Sequence, residues 1–451
     1  MNDIFGTEVS LETTAARDSW NKMQMAFLAH SAATPNHLAD VLEREPGFAA
    51  AHAVKGLFYM MLGKRELIEV AIEANKTAQS CPKSPLKRER SFVRALNLWL
   101  AGHMIQARDE VETILIATPT DSLAMKISHA MSFIMGDRQM MRRSLESVLP
   151  SYDPTHKASG YIKGCYAFAL EETGDYTRAE EIGREGVLQA PDDAWGLHAV
   201  AHVYDMTAQT TKGLDWLTGR EKSWAHCNNF RYHVWWHKAL MLLESGHIDQ
   251  VMDLYDTEIR ADKTDDYRDI SNATALLSRL ELYGHNVGNR WEELAAFSEN
   301  RTEDGCLIFA DLHYMLALMG GNRKDAIRKI MARMQRDAAR NGSDSDRVMA
   351  SPGLSAMSGL EAFSEADFTG AFANLSAARS QMQLAGGSHA QRDIFERITI
   401  DAGIRSGAFA QAEAILKDRQ TNRGGAEDNF ASVRFQMISD ARGDAQKQPA
   451  E

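Results

Sequence analysis

Glycine, alanine and proline return at fixed intervals along this chain, and no other feature restricts its fold as strongly. In "YAFALEETGDYTRAEEIGREGVLQAPDD" Gly174 is followed five residues later by Ala179, and twelve beyond that by Pro191. Each residue has a mechanical task. The glycine lets one helix end in a tight turn, the small alanine lets a second helix lie close against the first, and the proline stops that second helix. The beat returns at Gly102, Ala107 and Pro119; at Gly56, Tyr59 and Gly63; and at Gly136. Further copies stand at Gly246 with Tyr255, Gly321 with Ala326, and Gly407 with Ala412, and "EADFTGAFANL" is a degenerate one. This predicts about nine helical hairpins.

The interval is that of the tetratricopeptide repeat, whose hairpins cannot bury their faces alone and so stack on one another. The expected fold is all-α, a right-handed α-α superhelix of the tetratricopeptide type, in which the first helix of each hairpin lines a concave surface. Apolar residues recur at spacings of three and four, and no long stretch alternates with period two, so sheet is not expected. Along the chain the reading is a helical cap over 1–48 and a repeat array over 49–340. A Gly-, Ser- and Asp-rich loop or break follows at 341–353, then degenerate repeats over 354–438 and a disordered tail over 439–451.

Composition narrows the function classes. Lys plus Arg number 50 and Asp plus Glu 62, a net charge of −12. With no long basic run, nucleic acid and anionic membrane are not expected partners. The four cysteines stand far apart with no CxxC pair, which predicts reduced thiols and neither a disulfide framework nor a thiolate zinc site. The first twenty residues lack a basic segment followed by an apolar one, and no run of eighteen apolar residues occurs, so the expected location is the cytoplasm.

Four runs, "AHAVKGLFYMMLGK", "FALEETGDYTRAEEIGREGV", "HAVAHVYDM" and "HVWWHKALMLLESGHIDQVMDLYD", resemble in order and spacing the tetratricopeptide repeat protein 38 family. The likeness extends from about residue 20 to about residue 336. It implies a cytosolic α-solenoid and carries no general biochemical assignment.

The histidine-bearing runs are the ones with chemistry in them. In a repeat frame beginning at Ala194, His198, His202 and Asp205 take positions 5, 9 and 12, which face the groove. Glu171 and Glu172 precede them at positions 12 and 13 of the repeat before, while His233, Trp236 and His237 follow at 2, 5 and 6 of the repeat after. Asp311 and His313 arise on a later groove-lining helix. We assign proton chemistry to His198, His202, Asp205, His233 and His237, and substrate contacts to Glu171, Glu172, Trp236, Asp311 and His313. Imidazoles titrate near neutrality, and carboxylates can hold their tautomers.

Two histidines four apart can also ligate a metal, which makes His198 and His202 the residues for a divalent ion. The run is "HAVAH" and not HExxH, so it lacks the general base of a metalloprotease and metal is not the favoured reading. Packing histidines that donate to carbonyls in helix seams remain the plain alternative. The expected function is therefore a His- and carboxylate-lined pocket in the concave face for a small polar ligand or substrate, with the reaction and any cofactor unassigned. The rival is a scaffold that holds a peptide or helix of another protein in the groove. Oligomeric state is not legible.

Overall fold

The helices Ser159–Glu172 and Tyr176–Gln189 show how one repeat is made. The first ends at Gly174 (φ +84°), where the amides of Gly174 and Asp175 return to the carbonyls of Glu171 and Leu170 and close the turn. The second lies so close to its neighbours that side chains have no room at two of its positions. A Cβ on Gly186 would meet the Gly160 carbonyl at 2.9 Å, and one on Gly183 would meet Val200 at 2.6 Å. Past Pro191, Asp193 caps the next helix, its carboxylate accepting the amide of Gly196 at 3.1 Å.

The computed structural model describes residues 1–82 and 84–447, and within them this unit occurs eleven times, followed by a final helix Asn429–Lys447. Two hairpins lie beyond the nine expected. Thr14–Leu28 with Thr34–Arg44 turns through His30 (φ 55°) instead of a glycine at that point, so the segment read as a cap is itself a hairpin. Tyr267–Leu282 with Arg290–Glu299 is joined by the longer "YGHNVGN" connection, which hides the beat. No strand occurs among the described residues; there are two isolated bridges, Asn2 to Glu8 and Ser31 to Cys227. The fold is an all-α superhelix of stacked hairpins. Its core is distributed, with one apolar cluster running from Phe5 to Val203 and a second from Trp236 to Ile398.

Residues 341–353, expected as a loop or break, hold one short helix and then a kink at Ser351 (φ −151°, ψ 119°), after which Leu354–Ser364 begins. Ser343 opens Asp344–Val348 with a capping box, since its hydroxyl accepts the Asp346 amide while the Asp346 carboxylate accepts the Ser343 amide. The tail also differs from expectation. Residues 439–447 continue the last helix, and 448–451 lie outside the described residues.

The superhelix closes on itself, and this positions the site. The turns that end the groove-lining helices of the first half abut the second half. A Cβ on Gly136 would meet the Gln383 carbonyl at 1.7 Å, and one on Gly386 would meet that of Ile134 at 2.2 Å. Ion pairs and hydrogen bonds fasten the seam: Lys64 to Asp265, Arg301 to Glu66, the Tyr176 hydroxyl to the Asn422 carbonyl, and Arg423 to the Asp205 carbonyl. Near the first hairpin, Ala32 donates to His226 and Asn228 to His30. The concave face is thereby turned into an interior.

Candidate functional site

Helix Ala194–Met206 presents His198 and His202 on one face, and helix Phe230–Glu244 presents His233 and His237 on the face turned toward it. Spacing of four puts each pair one turn apart. The four rings converge: His202 and His237 have centroids 4.2 Å apart, His198 and His202 4.4 Å, His233 and His237 4.7 Å, and His198 and His233 5.1 Å. One nitrogen from each can be chosen so that all four lie within 4.8 Å of one another. His198 Nδ1 donates to the Trp195 carbonyl at 3.2 Å and His233 Nδ1 to Asn272 Oδ1 at 2.8 Å, which turns the Nε2 of each toward the cluster. The Nε2 atoms of His237 and His233 are 3.2 Å apart.

Burial dictates the charge states. Desolvation drives His198 and His237 well below the ordinary histidine range, helped by the neighbouring His202, and lowers His233 to about 3 against its hydrogen bond to Asn272. His202 goes the other way. Burial opposes its charge, but Glu171 first, and Glu172 and Asp205 behind it, together outweigh burial and raise it. Glu171 is fully buried with neither carboxylate oxygen hydrogen-bonded, and its Oε2 is 3.6 Å from His202 Nδ1.

His198 and His233 also line a central cavity of about 800 Å³, while His202 and His237 lie behind its wall. Most of the lining is aromatic and aliphatic, including Phe58, Phe133, Phe168, Trp195, Phe230 and Phe309. The polar exceptions include Lys126, His30, His129, Arg268, Asn229 and Asn272. Lys126 is the unusual one. It is 3% exposed, its ammonium donates to Cys165 Sγ at 3.5 Å and lies 5.0 Å from the Trp195 ring, and it makes no ion pair among the described residues. Asp193 feels its field but is spent on the helix cap, and burial pushes the Asp193 carboxyl up to about 7 against the pull of Lys126. Arg268, by contrast, is held by Asp266 through two hydrogen bonds of 2.9 and 2.6 Å.

The remaining residues singled out from the sequence separate into those near the cluster and those elsewhere. Trp236 is fully buried and stacks on His233 at 5.2 Å, behind the cavity wall. Glu172 points to the seam between the halves. There it accepts the His389 amide at 2.7 Å and faces Arg392 at 3.5 Å, and these partners hold its carboxyl below the usual range in spite of burial. Asp205 does not join the cluster, because its helix has turned it toward Arg423 at 3.5 Å. Asp311 lies in a separate buried ion pair with Arg333 at 2.5 Å. His313 donates to the Phe309 carbonyl at 2.7 Å and packs on Phe395, away from the other four rings. Closure of the superhelix gives Asp205 a partner that a frame of independent repeats does not contain, whereas Asp311 is paired inside its own hairpin, by Arg333 of the next helix. Cys165, fully buried, has its thiol pushed up to about 11 by desolvation, which removes it as a nucleophile.

Sequence reasoning missed Lys126, His129 and His30. A signal was present: "SLAMKISHAMSFI" is a helix apolar nearly all round, and a lysine with a histidine three residues on cannot both reach water from it.

No protein-family model matches the chain. Among solved structures it resembles a human IFIT1 dimer with PPP-AAAA, over 95% of this chain and 99% of that one, at 14% identity and a TM-score of 0.39. Among the described residues no helix is long and apolar enough to cross a membrane.

Proposed function

We propose that this protein binds a small organic ligand, with an apolar body and one anionic group, in the cavity enclosed by its superhelix. The observation that carries the reading is Lys126, a buried ammonium on the wall of an otherwise largely apolar cavity with no carboxylate in contact. A buried charge without a partner is costly, and the partner that fits a cavity is one that enters it. Volume agrees, since about 800 Å³ lies within the span of small-molecule sites. The aromatic walls supply the apolar contact, and Asn229 and Asn272 supply orienting polar groups. The lining shifts the expected ligand from a purely polar molecule to an amphipathic one.

The four free cysteines and the resemblance to the tetratricopeptide repeat protein 38 family support a cytosolic place for this activity. The runs that carry that resemblance include the two that build the histidine cluster. A scaffold that grips a peptide remains compatible with stacked hairpins. What weighs against it is that the groove-facing turns are covered by the second half of the chain.

Two fluorescent probes separate these readings: 1-anilinonaphthalene-8-sulfonate, and the same aryl body without its sulfonate, N-phenyl-1-naphthylamine. Both should bind the intact protein, and Lys126→Met should weaken the sulfonate at least about tenfold while sparing the neutral probe. Failure of both probes to bind, or equal binding of the sulfonate by Lys126→Met, would reject the pocket.

A further inference from the structure

Around the four histidines, several buried nitrogen and carboxylate atoms have no hydrogen-bond partner among the described residues. His202 has both ring nitrogens unpartnered, His237 has Nδ1 unpartnered, and Glu171 has both carboxylate oxygens unpartnered, all in side chains with no exposure. Buried polar groups are ordinarily satisfied, so so many orphans in one place calls for a missing partner. A histidine-to-histidine hydrogen bond accounts for His233 and His237 alone. The 3.6 Å between His202 and Glu171 is too long for a hydrogen bond.

We propose that His198, His202, His233 and His237, with Glu171 beside His202, form a binding site for one divalent first-row transition-metal ion. Four imidazole nitrogens at about 2.0–2.1 Å from a tetrahedral ion stand roughly 3.4 Å from one another. The His233 and His237 nitrogens, at 3.2 Å, already have that spacing. The others, all within 4.8 Å, reach it by small side-chain rotations. The outer contacts are those of a metal site. Ligating histidines normally donate their second nitrogen to a carbonyl or polar side chain, as His198 does to Trp195 and His233 to Asn272. A second set, Glu171, Glu172 and His202, meets the same spacing test, so a carboxylate stands ready on the side away from the cavity.

The donor set chooses the ion. Imidazole suits zinc, iron, copper and nickel; calcium and magnesium require more oxygen ligands than Glu171 and Glu172 offer, and there is no thiolate in the cluster. Because His198 and His233 are also on the cavity wall, the ion lies at the edge of the space in which the proposed ligand would sit. The metal site itself does not depend on that ligand.

The test uses the full chain, purified without a histidine tag or chelator. Elemental analysis should find about one equivalent of a transition metal per chain. After stripping with chelator, titration with cobalt(II) should raise a visible d–d band that saturates at one equivalent. His202→Gln/His237→Gln should lose the band, His313→Gln, which alters a buried histidine outside the cluster, should keep it, and Asn272→Ala should weaken zinc affinity by about 10–100-fold. Wild-type protein that gives no cobalt band and shows no zinc site by calorimetry overturns the proposal, whatever the variants do. So does a folded double variant that retains the full metal content. Loss of metal with the neutral probe still bound would leave the pocket reading standing, so the two can fail separately.

Discussion

The Nδ1 of His202 stands 3.6 Å from the Oε2 of Glu171, with both side chains cut off from water. In the metal-free protein this pair is the one place in the cluster where an imidazolium is stabilised. His202 is raised above the ordinary value of about 6.5 while His198 and His237 are lowered. A raised folded-state value means that the pair's contribution is fully present below about pH 6.5 and is lost as pH rises through the folded value. Melting temperatures of chelator-stripped protein should fall across that window, and Glu171→Gln should flatten the dependence because burial of His202 is then opposed only by the weaker fields of Glu172 and Asp205. The same pH profile in both proteins would show that Glu171 does not hold the charge.

His30 and His129, on the cavity wall, respond to pH in the opposite sense. Burial, and after it the ammonium of Lys126, hold both well below the ordinary histidine range. Below about pH 6.5 the unfolded chain takes up protons that these folded rings refuse, so stability falls as pH drops. Each ring adds a slope of about 1.4 kcal/mol per pH unit. Urea unfolding at pH 7 and pH 5.5 should show the loss, and His129→Leu should reduce it by roughly one such slope. An unchanged difference between the two pH values would mean that His129 is accessible to protons in the folded state.

Closure of the superhelix makes Gly136 a sensitive point. Its φ of +67° disfavours any side chain, and a Cβ there would lie 1.7 Å from the Gln383 carbonyl. Gly136→Ala should therefore cost more than the about 1–2 kcal/mol of a left-handed alanine, because the backbone of the second half must also move. Thermal melts would register the loss, and the seam beside the cavity should become more open to hydrogen exchange. A near-neutral Gly136→Ala would mean the two halves do not abut there.

What the sequence made legible follows from how local each feature is. The hairpins are local, and the glycines at 102, 136, 174 and 246 all take positive φ where the beat placed them. The stripe of His198 and His202 and that of His233 and His237 follow from helical spacing, which also brings adjacent helices together. The closure is not local. Gly136 and Gln383, or Tyr176 and Asn422, are about 250 residues apart, and no periodicity encodes that they touch. Two of the residues misassigned to the groove were misassigned for this reason, while Asp311 and His313 are held by partners within their own hairpin. Asp205 and Glu172 were free carboxylates in a repeat frame and became ties to Arg423 and His389 once the halves met.

Asp311 was placed with the site by its helix position, and its surroundings predict a different role. Its carboxylate receives a 2.5 Å hydrogen bond from Arg333, which also reaches Asp337 at 3.3 Å, and Asp311 and Arg333 are almost wholly buried. Removing one partner of a buried pair strands the other charge, at a cost of about 3–5 kcal/mol. Asp311→Asn should accordingly lower the melting temperature while leaving cobalt binding and the affinity for both naphthyl probes unchanged, measured at a temperature where the variant is folded. Retention of Asp337 near Arg333 should place the loss toward the lower end of that range. If the folded variant instead loses probe or metal binding with little change in stability, Asp311 acts on the site after all, and the separation drawn between the two buried clusters is wrong.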